Sequence, residues 1–106
     1  TMAPSTDSLP LPVKRVLRTI GGDLALARRR RGISISDMTS RLLVSRDTLW
    51  RLERGDPTVS LGTLVTAIFI LNLHERLAAV LAPDRDEVAL SLDERRLPQR
   101  IRRRKS

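Results

Sequence analysis

The chain has 106 residues, 41% of them hydrophobic and 2% aromatic, which is room for one small aliphatic core with tails. Its 20 Lys and Arg against 12 Asp and Glu leave a formal net charge of +8, which favours an anionic partner: nucleic acid most simply, an acidic protein or an anionic membrane otherwise. The absence of cysteine excludes disulfides and thiolate metal sites, one histidine makes no metal cluster, and no apolar run approaches the ~18 residues that span a bilayer.

Residues 1–12 (TMAPSTDSLPLP) read as a flexible arm, too polar for a signal peptide. Pro12 suits the first turn of a helix. Apolar residues then recur at helical spacing: Val13, Val16, Leu17, Ile20, Leu24 and Ala27. Gly21-Gly22 falls inside this pattern at roughly 1 kcal/mol per Gly. Either one helix runs through it, or a second starts with Asp23 as its cap; a helix over at least residues 22–31, stopped by Gly32, is expected. The run Arg28–Arg31 points around the helix in different directions and makes no single anion site.

Ser34 reads as an N-cap, with Asp37 near the positive end of a short helix that buries Met38 and Leu42. Val44-Ser45 is a turn. Ser45 caps a third helix with Leu49 and Leu52 inward, Gly55 stops it, and Asp56-Pro57 turns the chain. Ser60 caps a fourth helix with an expected inward stripe of Leu61, Leu64, Val65, Ile68 and Leu71. A fifth is expected over about Leu73–Leu81, ending before Pro83. Residues 86–96 read as an amphipathic helix or, because the pattern also alternates, a short strand, with Val88, Leu90 and Leu92 as candidates for burial. Pro98 ends it. Residues 99–105 (QRIRRRK) form a basic tail, either solvated or touching phosphate or a partner.

Two short helices joined by a tight turn, the second polar and basic on its outer face, is the plan of a major-groove reader. Arg46 and Asp47 lead the third helix into the groove, and Arg51 follows on the same face. Arginine can pair with guanine through two hydrogen bonds. Asp47 either accepts from cytosine or orients Arg51, four residues on. Ser45 and Thr48 can donate to phosphate, which a helix N-terminus itself favours, and Ser34, cap of the helix before, is expected among the DNA-binding residues with them. Trp50 either meets the DNA edge or packs. His74 reads as a surface or interface residue. Phe69, Leu73, Leu77 and Leu81 are too many apolar residues for so small a domain, so a dimer seam is preferred to ordinary core. No nucleophile–base pair, phosphate-cradling Gly loop or metal-ligand cluster is present, so neither an enzyme nor a cofactor is expected.

The run Gly32–Gly55 (GISISDMTSRLLVSRDTLWRLERG) resembles the helix-turn-helix of the phage-repressor, or XRE, family, and the likeness extends over residues 17–81. It implies an all-α, five-helix phage-repressor-like domain over residues 13–82 and a C-terminal extension over 83–106. It also implies a homodimer on a palindromic double-stranded DNA operator, and an ion pair between Arg28 and Glu53. Two residues depart from the family pattern. Ile35 stands where a phosphate-binding Gln is common, and cannot make that contact. Leu43 replaces the usual turn Gly, so a backbone other than left-handed is expected there. The ending from Pro83 to Lys105 is similar to HipB-like antitoxins, which implies autoregulation and neutralisation of a HipA-like toxin kinase in a bacterial cytoplasm, at the nucleoid. The alternative is a stand-alone regulator, such as a prophage repressor or a restriction–modification controller.

Overall fold

A computed structural model describes residues 8–95. The first seven residues of the arm and the basic tail lie outside the described residues. The chain divides into two compact units after His74. Among the described residues the protein is all-α, with no strand.

The first helix, α1 (Leu11–Arg30), starts on Pro10 with Pro12 in its first turn, where a missing N–H costs nothing. Of the two readings for this stretch, the single helix holds: it runs unbroken through Gly21-Gly22, starting two residues before Val13 and well before residue 22. The two glycines differ in role. A Cβ on Gly21 would lie 2.6 Å from the Gly55 amide nitrogen and 2.7 Å from the Glu53 carbonyl oxygen, whereas one on Gly22 would meet open space. Gly21 is therefore the point where α1 touches the end of the third helix backbone to backbone.

The helices α2 (Ile35–Leu42), α3 (Arg46–Glu53) and α4 (Leu61–Ile70) each begin on a serine that accepts from the amide three residues on: Ser34 from Asp37, Ser45 from Thr48, Ser60 from Thr63, at 3.0–3.1 Å. Each such cap contributes about 1 kcal/mol by satisfying an orphan donor. The four helix ends are equally uniform. The residue after the cap region is left-handed (Gly32 φ 67°, Leu43 φ 57°, Gly55 φ 80°, Asn72 φ 61°). The next amide then donates back five residues: Ile33 to Arg28, Val44 to Thr39, Asp56 to Arg51, Leu73 to Ile68.

This corrects the expectation for Leu43, which is left-handed despite its Cβ. The Val44–Thr39 hydrogen bond closes only with residue 43 in that conformation. The cost, about 1–2 kcal/mol, is tolerable because the Leu43 side chain is 91% exposed and clashes with nothing.

Leu24, Met38, Leu42, Leu49, Leu52, Ala67 and Leu71 form the core of the first unit, with Ile20, Ile33, Val44, Leu64, Ile68 and Leu73 packed around it. Full burial of Met38, Leu49 and Leu71 contributes about 1.5–3 kcal/mol each. The inward stripe of α4 keeps Leu64, Ile68 and Leu71 from the expected one, adds Ala67 and drops Leu61 and Val65. Leu61 is 74% exposed and Val65 is also exposed. The helix is apolar on nearly every side, so hydrophobicity alone does not fix which face turns inward.

The fifth helix, α5 (His74–Ala78), is shorter than expected. A turn follows, then a 3-10 turn over Pro83–Arg85. Residues 87–95 are helical (α6), with the Asp86 carboxylate accepting from the Ala89 amide at 3.1 Å, so the helical alternative holds there. Val88, Leu90 and Leu92 were candidates for burial but are exposed. The nine described residues of this helix leave that apolar stripe uncovered among the described residues.

Candidate nucleic-acid interface

Residues 43–45 join α2 to α3. Because Leu49 and Leu52 face the core, Arg46, Asp47, Trp50 and Arg51 lie on the opposite, solvent-facing side of α3. Ser34 and Ser45 sit at the starts of α2 and α3 with exposed hydroxyl groups already engaged as caps; Ser45 also shares a 3.1 Å hydrogen bond with the Thr48 hydroxyl. The structure thus brings Ser45, Arg46, Asp47, Thr48, Trp50 and Arg51 onto one short helix, with Ser34 one helix away.

The two arginines differ. Arg46 is exposed and makes no ion pair or hydrogen bond among the described residues. Arg51 is held. Its Nε donates to Asp56 Oδ2 at 3.2 Å, its Nη2 donates to the Thr58 hydroxyl at 3.0 Å, and its Nη1 lies 3.5 Å from Asp47 Oδ2. The contact with Asp47 follows the expected spacing, but Asp47 is largely exposed, so the pair contributes little. Asp56 in turn accepts from the Thr58 amide at 2.7 Å and the Thr58 hydroxyl at 2.6 Å. These two hydrogen bonds, with a further contribution from the Arg51 guanidinium and against the opposing effect of burial, hold the Asp56 carboxyl below its ordinary value of 3.8. At the ends of α1, α2 and α4 the residue after the left-handed one is apolar and packs on the core; at the end of α3 it is Asp56, and its contact is an ion pair.

Trp50 is 58% exposed, with the Arg54 guanidinium 4.5 Å above its ring, a cation–π contact. It is partly covered by a neighbouring side chain and also faces solvent, so both of its readings stand. Ile35, exposed at the start of α2, shares a shallow depression with Arg46, Asp47 and Trp50, and offers them only an apolar wall.

The platform beneath is fixed by Arg28. This residue is 6% exposed; its Nε donates to Glu53 Oε2 at 2.7 Å, its Nη2 to Glu53 Oε1 at 3.2 Å and its Nη1 to the Ile33 carbonyl at 2.9 Å. One forked side chain therefore ties α1 to the end of α3 and to the loop before α2. Arg29, Arg30 and Arg31 are exposed, so the run does not act as one site.

The residues assigned to a dimer seam have unequal surroundings. Phe69 is 59% exposed and stands edge-on to the His74 ring at 5.0 Å. Leu73 is half-buried against the core. Leu77 is 36% and Leu81 86% exposed. His74 is half-buried, and its Nδ1 is enclosed without a hydrogen-bond partner.

Asp56, Thr58, Lys14 and Arg18 lie outside the helix-turn-helix run, and Arg54, within it, carries no functional signal there. Asp56-Pro57-Thr58 is recognisable as an Asx turn, but the reach from Asp56 to Arg51 depends on the closure at the end of α3. Among the described residues no group of His, Cys, Asp or Glu could hold a metal ion, and no helix is long and apolar enough to cross a membrane. Compared with protein-family models, curated proteins and solved structures, the chain matches none.

Proposed function

We propose that this chain is a sequence-specific double-stranded DNA-binding repressor of phage-repressor-like fold, reading a palindromic operator as a homodimer with α3 in the major groove. The observation that carries the reading is the pairing of two eight-residue, serine-capped helices across a three-residue turn, with an arginine unpaired among the described residues at the leading end of the second. Arg46 is the base reader, with its whole guanidinium fork free for guanine. Arg51 is a pre-oriented second contact: Asp56 and Thr58 fix its plane, leaving one Nη2 hydrogen and an Nη1 held only by the long, exposed contact with Asp47. Ser34, Ser45 and Thr48 meet phosphate, and Trp50 lies at the edge of the groove.

A HipB-like antitoxin role is the preferred elaboration, because α6 leaves Val88, Leu90 and Leu92 exposed as a protein partner such as a toxin kinase would need. The stand-alone regulator is its rival, and co-purification from the native cell separates them. The DNA-binding reading is tested on a duplex selected by the protein from a random pool. Arg46→Ala should lose about 1–3 kcal/mol on that duplex and much less on a scrambled one. An unchanged selected-to-scrambled ratio would show that α3 is not the reader.

A further inference from the structure

On α1, Lys14, Arg18, Gly21, Ala25 and Arg28 are spaced four, three, four and three residues apart, so they form a single stripe. Its later part is covered by α3: Gly21 touches the α3 end, Ala25 is buried, and Arg28 holds Glu53. The stripe's first two positions run past the end of α3, and there it carries two cations instead of small or buried residues. On α3, Trp50 and Arg54 are likewise four apart. The two pairs line an open cleft of about 220 Å³, with Leu17 and Pro57 among its other walls.

The charge in this cleft is one-sided. Asp56 also lines it, but that carboxylate is already satisfied by Arg51 and Thr58. Lys14, Arg18 and Arg54 make no ion pair among the described residues; Arg54 has only the Trp50 ring. Three uncompensated cations beside an exposed indole form a seat for an anionic group carrying apolar surface. The sugar-phosphate backbone of DNA is such a ligand. The cleft adjoins the outer face of α3, so a duplex on that face would run past it.

We propose that the cleft between the first turns of α1 and the end of α3 is a backbone clamp for duplex DNA, in which Lys14, Arg18 and Arg54 hold phosphate and Trp50 packs on the adjoining sugar. The inference rests on the DNA-binding reading and extends its footprint from the helix-turn-helix onto α1. The clamp carries no sequence information, so it can be tested on any duplex.

Trp50 is the one Trp in a chain with no Tyr, so indole emission reports the cleft and the adjoining face of α3, and the variants below separate the two. Titration of the full chain with a random-sequence duplex should change that emission. Lys14→Gln and Arg18→Gln should each weaken binding several-fold and reduce the salt slope by about 0.9, the value for one lost phosphate contact. Arg15→Gln removes the same charge one residue away, outside the cleft, and should leave the slope nearly unchanged. Melting curves check that each variant is folded. A readout without mutation guards against misfolding: the chain has two lysines, Lys14 and Lys105, and bound duplex should shield Lys14 from an amine-acetylating reagent. If the wild-type chain binds duplex while Lys14 stays reactive and all three variants behave alike, the clamp is wrong and the DNA-binding reading stands. If the wild-type chain binds no duplex at low salt, both fall.

Discussion

At the residue scale, Asp56 decides how freely Arg51 moves. Its carboxylate takes three contacts from two residues and is most strongly stabilised in its charged form by Thr58. A carboxyl whose folded value is depressed stabilises the fold fully above its unfolded value, and that stabilisation is lost as pH falls through the lower folded value. Asp56→Asn keeps the shape and an acceptor for Thr58 but loses the charge facing Arg51. It should therefore cost about 1 kcal/mol at about pH 6, a drop of several degrees in Tm. The gap between the two proteins should close as the wild type is taken below about pH 3.8. Thermal unfolding at a series of pH values checks this, and a gap that stayed constant into acid would mean the charge is irrelevant to the turn. The turn itself was legible from Asp56-Pro57. Its hold on Arg51 was not, because that contact exists only once the chain closes back over the end of α3. The reverse holds for Arg28 and Glu53: the family resemblance pairs them across 25 residues, and the structure joins them through two hydrogen bonds.

Elements were legible where a local signal marks their ends. Ser34, Ser45 and Ser60 each announce a helix, and Gly32 and Gly55 stop one, because capping chemistry acts within a few residues. Leu43 misled because the same closure that Gly makes easy is imposed here on a leucine by the flanking helices. The inward face of α4 is legible only in part, for lack of contrast: Leu64, Ile68 and Leu71 do face inward, but Leu61 is exposed and Ala67 buried. The glycine pair in α1 could not be resolved from sequence, since a helical glycine looks alike whether it is a weakness or a contact. The structure separates the two, and with opposite signs. Gly21→Ala forces a methyl into the backbone of Glu53 and Gly55, two segments with no flexible end to yield, and should cost about 1–3 kcal/mol or more. Gly22→Ala fills empty space on a helix and should gain about 0.5–1 kcal/mol. Urea unfolding of the two variants should bracket the wild type, and a stabilised Gly21→Ala would show that α1 and α3 do not meet there.

At the scale of the whole molecule the charge of +8 and the exposed apolar side chains pull toward different partners. The cations ask for a polyanion. Phe69, on a helix whose neighbours Ala67 and Leu71 are wholly buried, asks for another apolar surface, which a second copy of the chain would supply. A dimer with two α3 helices about 34 Å apart would engage two half-sites on one face of the duplex. The second half-site is then bound intramolecularly, which raises affinity without new contacts. Phe69→Glu puts a charge in that seam while leaving α3 and the core untouched. The wild type should sediment as a dimer at micromolar concentration and the variant as a monomer. On a duplex with a single half-site the two should bind alike, because each protomer's reading face is intact. On the full palindrome the variant should fall toward its single-site affinity, losing the tenfold or greater advantage, about 1.4 kcal/mol, that linkage provides. A variant that stayed dimeric would move the seam away from α4, and one that became monomeric yet kept full affinity for the palindrome would remove dimerisation from the mechanism.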